Sequence, residues 1–181
     1  MPSGHFQAAD ATRLPFEVDA FDVAVSVFGV IFAPGEPAVS ELVRVVRAGG
    51  RIVITTWPQA GSILSAGGIV RRAVAEVDPS ALDVLQPTPW HDRGVLRELF
   101  APHDVEFFEE QITFHADSPQ AVADEFYDHH PLWLAARRIV GDTRYEQLRA
   151  EATQFFSEVN EDPGAWRATG SYLVIVVKVR A

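Results

Sequence analysis

The sequence predicts an α/β fold in which a largely parallel sheet carries helices on both faces. Three observations point to it. The stretches Phe21–Phe28, Arg51–Trp57 and Tyr172–Val177 are short apolar runs rich in Val and Ile. Near-continuous runs of that kind mark strands buried on both faces, as in a parallel sheet. Between the first two runs, Val39, Leu42, Val43 and Val46 recur at helical spacing, and a strand–helix–strand run of this length forms a right-handed parallel crossover.

In chain order, Gly4 to Ala8 is too weak in composition to assign as a strand, and Asp10 follows in a loop. Val23 to Phe28 is the first firm strand. Gly29 to Gly35 is an apolar connecting loop, and a helix starts near Pro37, where a missing N–H costs nothing. Arg44 and Arg47 are expected in its last turn, with Gly49-Gly50 ending it. Residues 51–57 form the next strand. After Pro58, a helical pattern through Ile63, Leu64, Ile69, Val70, Val74 and Val77 is interrupted by Gly67-Gly68. A loop with Pro79, Pro87 and Pro89 leads to Trp90-His91-Asp92, then a helix over 93–100 and a strand over 105–115. Ser118-Pro119 opens a helical pair broken at Gly141-Asp142 and ending near Glu158. Asp162-Pro163-Gly164 is a turn, and Ser171–Arg180 is the last strand. The chain reads as one domain, 1–181, with a helical insertion at 117–160.

The 181 residues are 48% hydrophobic and 10% aromatic, enough for a sizeable core. There is no cysteine, which removes disulfides, thiolate metal sites and a cysteine nucleophile. A formal net charge of -10 disfavours nucleic acid and anionic membranes as partners. No apolar run approaches the ~18 residues of a membrane span, and Met1–His5 shows no secretory pattern. A cytoplasmic location is the expectation.

Several motifs converge on one family. Asp10-Ala11-x-x-Leu14-Pro15-Phe16, then Phe21-Asp22-Val23, then Glu41-Leu42-x-Arg44-Val45-x-Arg47-x-Gly49-Gly50-Arg51 resembles the central part of class I S-adenosylmethionine-dependent methyltransferases, most of all the type 11, UbiE-like group acting on small molecules. Val27–Pro34, Trp57, the Trp90…Leu96-x-x-Leu99-Phe100 segment and the Tyr172-Leu173 strand are similar to one branch of it. The resemblance implies a Rossmann-like sheet with strand order 3-2-1-4-5-7-6 and an antiparallel last strand. It also implies that Asp10 accepts from the adenine amino group of the cofactor and that the Ala11 backbone meets the ring. Ser26, Val27 and Phe28 would form the wall beside the methyl donor. A carboxylate accepts hydrogen bonds and so pairs with an exocyclic NH₂, while a small residue lets backbone approach a ring.

The sequence departs from the family pattern at its front. The glycine-rich turn and the ribose-binding acid that precede this region in the family have no counterpart, which amounts to two βα units, roughly 60 residues at about 30 per βαβ unit. The expectation is a truncated sheet lacking family strands 1 and 2. The Val23–Val27 strand would then be an apolar edge, an association hazard, covered either by a second copy in a homodimer or by the N-terminal segment.

Acceptor-side residues are less determined. Trp90, Tyr127 and Trp133 are offered for substrate contact and, alternatively, for the core. His91 and His129 are the two general-base candidates, each also readable as a structural histidine. His129 and His130, adjacent on a helix, point about 100° apart and do not form a chelating pair, so no metal is expected. The leading functional reading is methyl transfer to a small-molecule acceptor. The alternative is a non-catalytic module that self-associates or binds a partner through its sheet edge. A nicotinamide dehydrogenase fragment is weaker still, since Lys178 is the sole lysine and no dinucleotide fingerprint occurs.

Overall fold

The computed structural model describes residues 4–58, 65–82 and 88–181. Ile63 and Leu64, expected in a helix, and Pro87, expected in a loop, lie outside the described residues. The elements are β1 (Phe21–Val27), α1 (Gly35–Val45), β2 (Val46–Thr56), α2 (Ser65–Val77), α3 (Arg93–Leu99), β3 (Asp104–Ala116), α4 (Pro119–His129), α5 (Pro131–Val140), α6 (Asp142–Glu158) and β4 (Trp166–Lys178). A single 3-10 turn, Val30–Phe32, follows β1.

The sheet has strand order β1-β2-β4-β3. β1 runs parallel to β2, with Val25 opposite Val53, and β4 runs antiparallel to β2, with Ile54 opposite Ile175. With β1 to β4 taken as family strands 4 to 7, this is the 4-5-7-6 half of the expected order, antiparallel last strand included.

Two compact units emerge. The first comprises Met1–Thr56, Thr88–Phe108 and Leu173–Ala181, the second Trp57–Pro87 and Glu109–Tyr172. The first has a core built on Ile52, Ile54, Ile175 and Val177 with Val39, Val45, Leu96 and Phe100. The second has its own, built on Val70, Val74, Trp133, Tyr145, Leu148, Phe156 and Trp166. Among the described residues no helix is long and apolar enough to cross a membrane.

Several boundaries differ from the sequence expectation, each for a physical reason. α1 ends at Val45, and Arg47, Gly49 and Gly50 belong to β2. The Asp19 N–H donates to the Arg44 carbonyl at 3.0 Å, and Gly49 and Gly50 exchange hydrogen bonds with Val179 at 2.8 and 3.0 Å. Gly49 takes φ +79°, so the glycine that reads as a helix stop serves as an irregularity within a strand. Gly50 is present because backbone passes close by: a Cβ there would lie 2.7 Å from the Asp22 carbonyl oxygen. Gly67-Gly68 does not break α2, whose buried stripe of Ala66, Ile69, Val70, Ala73 and Val74 holds it through the glycines. The helical pair is three helices. His130 turns to φ -74°, ψ 124° and caps α5, whose first residue is Pro131, and a residue before proline is driven out of the helical region.

β1 is at the edge of the sheet, and among the described residues 4–20 no strand pairs with it. Residues 4–20 therefore do not pair with that edge. Ala24 and Ser26 are half-buried, while Val23, Val25 and Val27 are 49%, 63% and 68% exposed.

Candidate functional site

The loop that precedes β1 is fixed by its own polar groups. Asp10 Oδ1 accepts from the Thr12 N–H and from Thr12 Oγ1, each at 2.8 Å. The Arg13 N–H donates to the Asp10 carbonyl at 3.0 Å. These bonds, the Thr12 backbone donor first, hold the Asp10 carboxyl below the usual carboxylate range, so it is an acceptor. Its other oxygen, Oδ2, has no partner among the described residues. Asp10 is exposed, whereas Ala11 and Leu14 are half-buried against the first-unit core.

Further along, the loop is tied to α1. The Leu14 N–H donates to Glu41 Oε2 at 2.7 Å. Arg44 donates to both Glu41 oxygens, at 2.7 and 2.8 Å, and also to the carbonyls of Phe16 at 2.7 Å and Leu14 at 3.0 Å. The Arg44 guanidinium first, and then the Leu14 N–H, lower the Glu41 pKa to about 2.

The rim where β1 ends has a second set of constraints. Ser26 Oγ accepts from the Val30 N–H at 2.9 Å, which seats the 3-10 turn. Phe28 adopts φ +51°, and its N–H donates to Thr55 Oγ1 at 3.0 Å. A left-handed non-glycine residue is uncommon, and such residues gather at functional sites. Val27 lies opposite Thr55 in register, so the constraint sits at the carboxyl ends of two parallel strands, where open α/β sheets bind ligands.

The turn before α3 packs on the same connecting loop. Thr88 Oγ1 accepts from the Gly35 N–H at 2.7 Å, and the Trp90 indole N–H donates to the Ala33 carbonyl at 3.3 Å. Trp90 is 2% exposed and belongs to the first-unit core. Asp92 caps α3, accepting from the Gly94 and Val95 N–H groups at 2.7 and 3.1 Å. Those bonds, Val95 first, lower its pKa. His91 is half-buried in this turn.

Asp10, Ala11, Ser26, Val27, Phe28, Trp90 and His91 thus all belong to the first unit. Tyr127, His129 and Trp133 belong to the second. There, the Tyr127 hydroxyl donates to Glu146 at 2.5 Å, and Tyr145 donates to the Tyr127 carbonyl at 2.6 Å. The Glu146 partner first, with burial, pushes the Tyr127 phenol up to about 12. Trp133 is fully buried, and its indole N–H finds no hydrogen-bond partner among the described residues. The His129 side chain is exposed, 4.0 Å from Glu125 one turn back. Among the described residues no group of three His, Asp or Glu side chains is arranged to hold a metal.

Sequence reasoning missed Thr55, and it named Phe28 without its left-handed backbone, since neither a threonine late in a strand nor a phenylalanine after one signals such a turn. Thr88 was also missed. The legible signal was Gly35, which has room for no side chain: a Cβ would come within 2.7 Å of Thr88 Cγ2.

Residues 2–54 match the family pattern described as a methyltransferase domain. An uncharacterised protein of Mycobacterium tuberculosis is 43% identical over 82 residues, covering 42% of this chain and 30% of that one. A demethylmenaquinone methyltransferase of Mycobacterium bovis is 34% identical over 102 residues, covering 49% of this chain and 43% of that one. This chain therefore spans less than half the length of either relative. The YcgJ protein of Bacillus subtilis shares the fold, with a TM-score of 0.53 at 17% identity over 97% of this chain and 71% of that chain. The matched segment contains the Asp10 loop, β1, α1 and most of β2, so this front part of the chain is similar to a methyltransferase domain.

Proposed function

We propose that this chain serves S-adenosylmethionine-dependent methyl transfer to a small-molecule acceptor. The observation that carries the reading is the Asp10 turn, which lies inside the matched segment and keeps one carboxylate oxygen without a partner among the described residues. An ionised, pre-set acceptor suits an adenine amino group. Half-buried Ala11 supplies a small residue beside it, and Ser26, Val27 and Phe28 supply the wall at the end of β1. When bound, the cofactor supplies a methyl group on a sulfonium, which an acceptor atom takes by in-line displacement. The chain's part is positioning and exclusion of water. His91, half-buried in the same unit as Asp10, is the side chain offered there for proton removal, while Trp90 and Trp133 are buried in the cores of their own units, which favours the core reading of both. Calorimetric titration with S-adenosylhomocysteine tests the reading: saturable heat is expected, and its absence at millimolar ligand ends the reading for this chain.

A second reading rests on a different observation, the exposed apolar row Val23, Val25 and Val27 on an edge strand. Such an edge is a template for strand pairing, and it favours a self-associating module, a homodimer in the simplest case. Light scattering alongside the titration separates the two: association without ligand heat supports the module, and heat from a monomer supports the enzyme.

A further inference from the structure

The motif Glu41-x-x-Arg44 is the feature whose geometry reaches furthest beyond a fold requirement. An ion pair three residues apart on a helix surface needs no other partner, and most such pairs contribute little. This one is turned outward from its helix onto one segment. The Leu14 N–H and the carbonyls of Leu14 and Phe16 are all taken up by the two side chains, at 2.7 to 3.0 Å. Backbone groups of a loop satisfied by side chains 27 to 30 residues away are held in one arrangement rather than exchanging with water. Arg44 can do this because its planar fork serves the carboxylate and two carbonyls at once. Glu41 and Arg44 are only 17% and 32% exposed at the side chain, so the arrangement is sheltered.

We propose that Glu41 and Arg44 are positioning residues for the nucleobase-binding loop: they clamp Leu14–Phe16 so that the Asp10 turn, four residues before Leu14, is presented in a binding-competent state. The proposal rests on the reading of Asp10 as the adenine contact. Neither side chain touches the ligand. Their effect is on the fraction of molecules whose loop is ordered, and apparent affinity falls in proportion to that fraction.

The test combines amide hydrogen exchange with S-adenosylhomocysteine titration on the whole chain and on the variants Glu41→Ala and Arg44→Lys. Exchange at Leu14 should rise at least about tenfold in Glu41→Ala, and the dissociation constant should weaken by a similar factor, as expected if the ordered fraction drops to about a tenth. Amides of Ile52 and Ile54 in β2 should stay protected, which controls for unfolding. Arg44→Lys keeps the charge and loses the fork, so it should weaken binding in the same direction. If Leu14 loosens while the dissociation constant stays within about twofold, or if Leu14 stays protected in Glu41→Ala, the clamp proposal is overturned and the functional reading stands. If the unaltered chain binds no S-adenosylhomocysteine, the functional reading fails, and the proposal falls with it.

Discussion

Thr55, the last residue but one of β2, lies opposite Val27, and its hydroxyl accepts the N–H of left-handed Phe28. Thr55→Val keeps the shape and removes the acceptor, so it should cost about 1 kcal/mol or more in chemical denaturation, while Thr55→Ser should restore most of it. Glu41 gives a pH prediction with a definite sign. Its folded-state pKa of about 2 lies below its ordinary value of 4.5, so its contribution to stability is complete above pH 4.5 and is lost as pH falls from there towards 2. Leu14 amide protection in folded molecules should therefore survive at pH 4, and Glu41→Gln should remove the acid-side loss assigned to this group. Tyr127 runs the other way. Its phenol is raised from 10.0 to about 12, so its contribution is complete below pH 10 and fades as pH rises through 12. Burial raises Tyr145 as well, so the check is an absorbance titration of the unaltered chain against Tyr127→Phe: the ionisation lost in the variant should lie in that upper range.

At the scale of elements, Gly49 and Gly50 separate two kinds of glycine requirement within β2. Gly49 has φ +79° and open space around a built Cβ, so Gly49→Ala costs backbone strain alone, about 1–2 kcal/mol. At Gly50 the new methyl would meet Val46 Cγ1 at 2.6 Å as well as two carbonyl oxygens at 2.7 and 2.8 Å. Gly50→Ala should then cost more than Gly49→Ala, about 1–3 kcal/mol for overpacking with β1 forced away, as read from paired denaturation curves. The same region shows what the sequence could and could not reveal. β1 and the centre of β2 were legible as strands because β-branched runs favour a pleated backbone, but the expected burial holds for Ile52 and Ile54 and not for β1, an edge strand with Val23, Val25 and Val27 exposed. The α1–β2 junction was not, since a helix that passes into a strand between Val45 and Val46 is decided by the Asp19 and Phe21 backbone pairing with residues 44 and 46, and no local period records that. The Asp10 loop was legible only through its resemblance to a family. Its attachment to Glu41 and Arg44 lay in the same quoted motifs, yet hydrogen bonds spanning 27 to 30 residues leave no mark on composition or spacing. The break at His130 was available in principle, because a residue before proline resists the helical region.

For the molecule as a whole, the decisive quantity is how the exposed edge balances against net charge. Val23, Val25 and Val27 present one apolar row, and Asp22, the only charge within β1, is already paired with Arg47. Nothing within the row repels a second strand, as an edge lysine or proline would. In an antiparallel pairing about a two-fold axis through Val25, Val23 of one copy faces Val27 of the other, so the row is complementary to itself. Against this, each copy carries a net charge of -10, and like charge opposes association until salt screens it, with a Debye length of about 30 Å at 0.01 M and about 10 Å at 0.1 M. The self-associating reading therefore makes a prediction that a generally sticky surface does not. Sedimentation should show a monomer at low ionic strength that passes to a discrete dimer as salt is raised, and Val25→Lys should hold the chain monomeric throughout without loss of thermal stability, because that side chain is 63% exposed. A chain that stays monomeric at every salt concentration, or a Val25→Lys variant that dimerises like the unaltered protein, removes the edge as the interface.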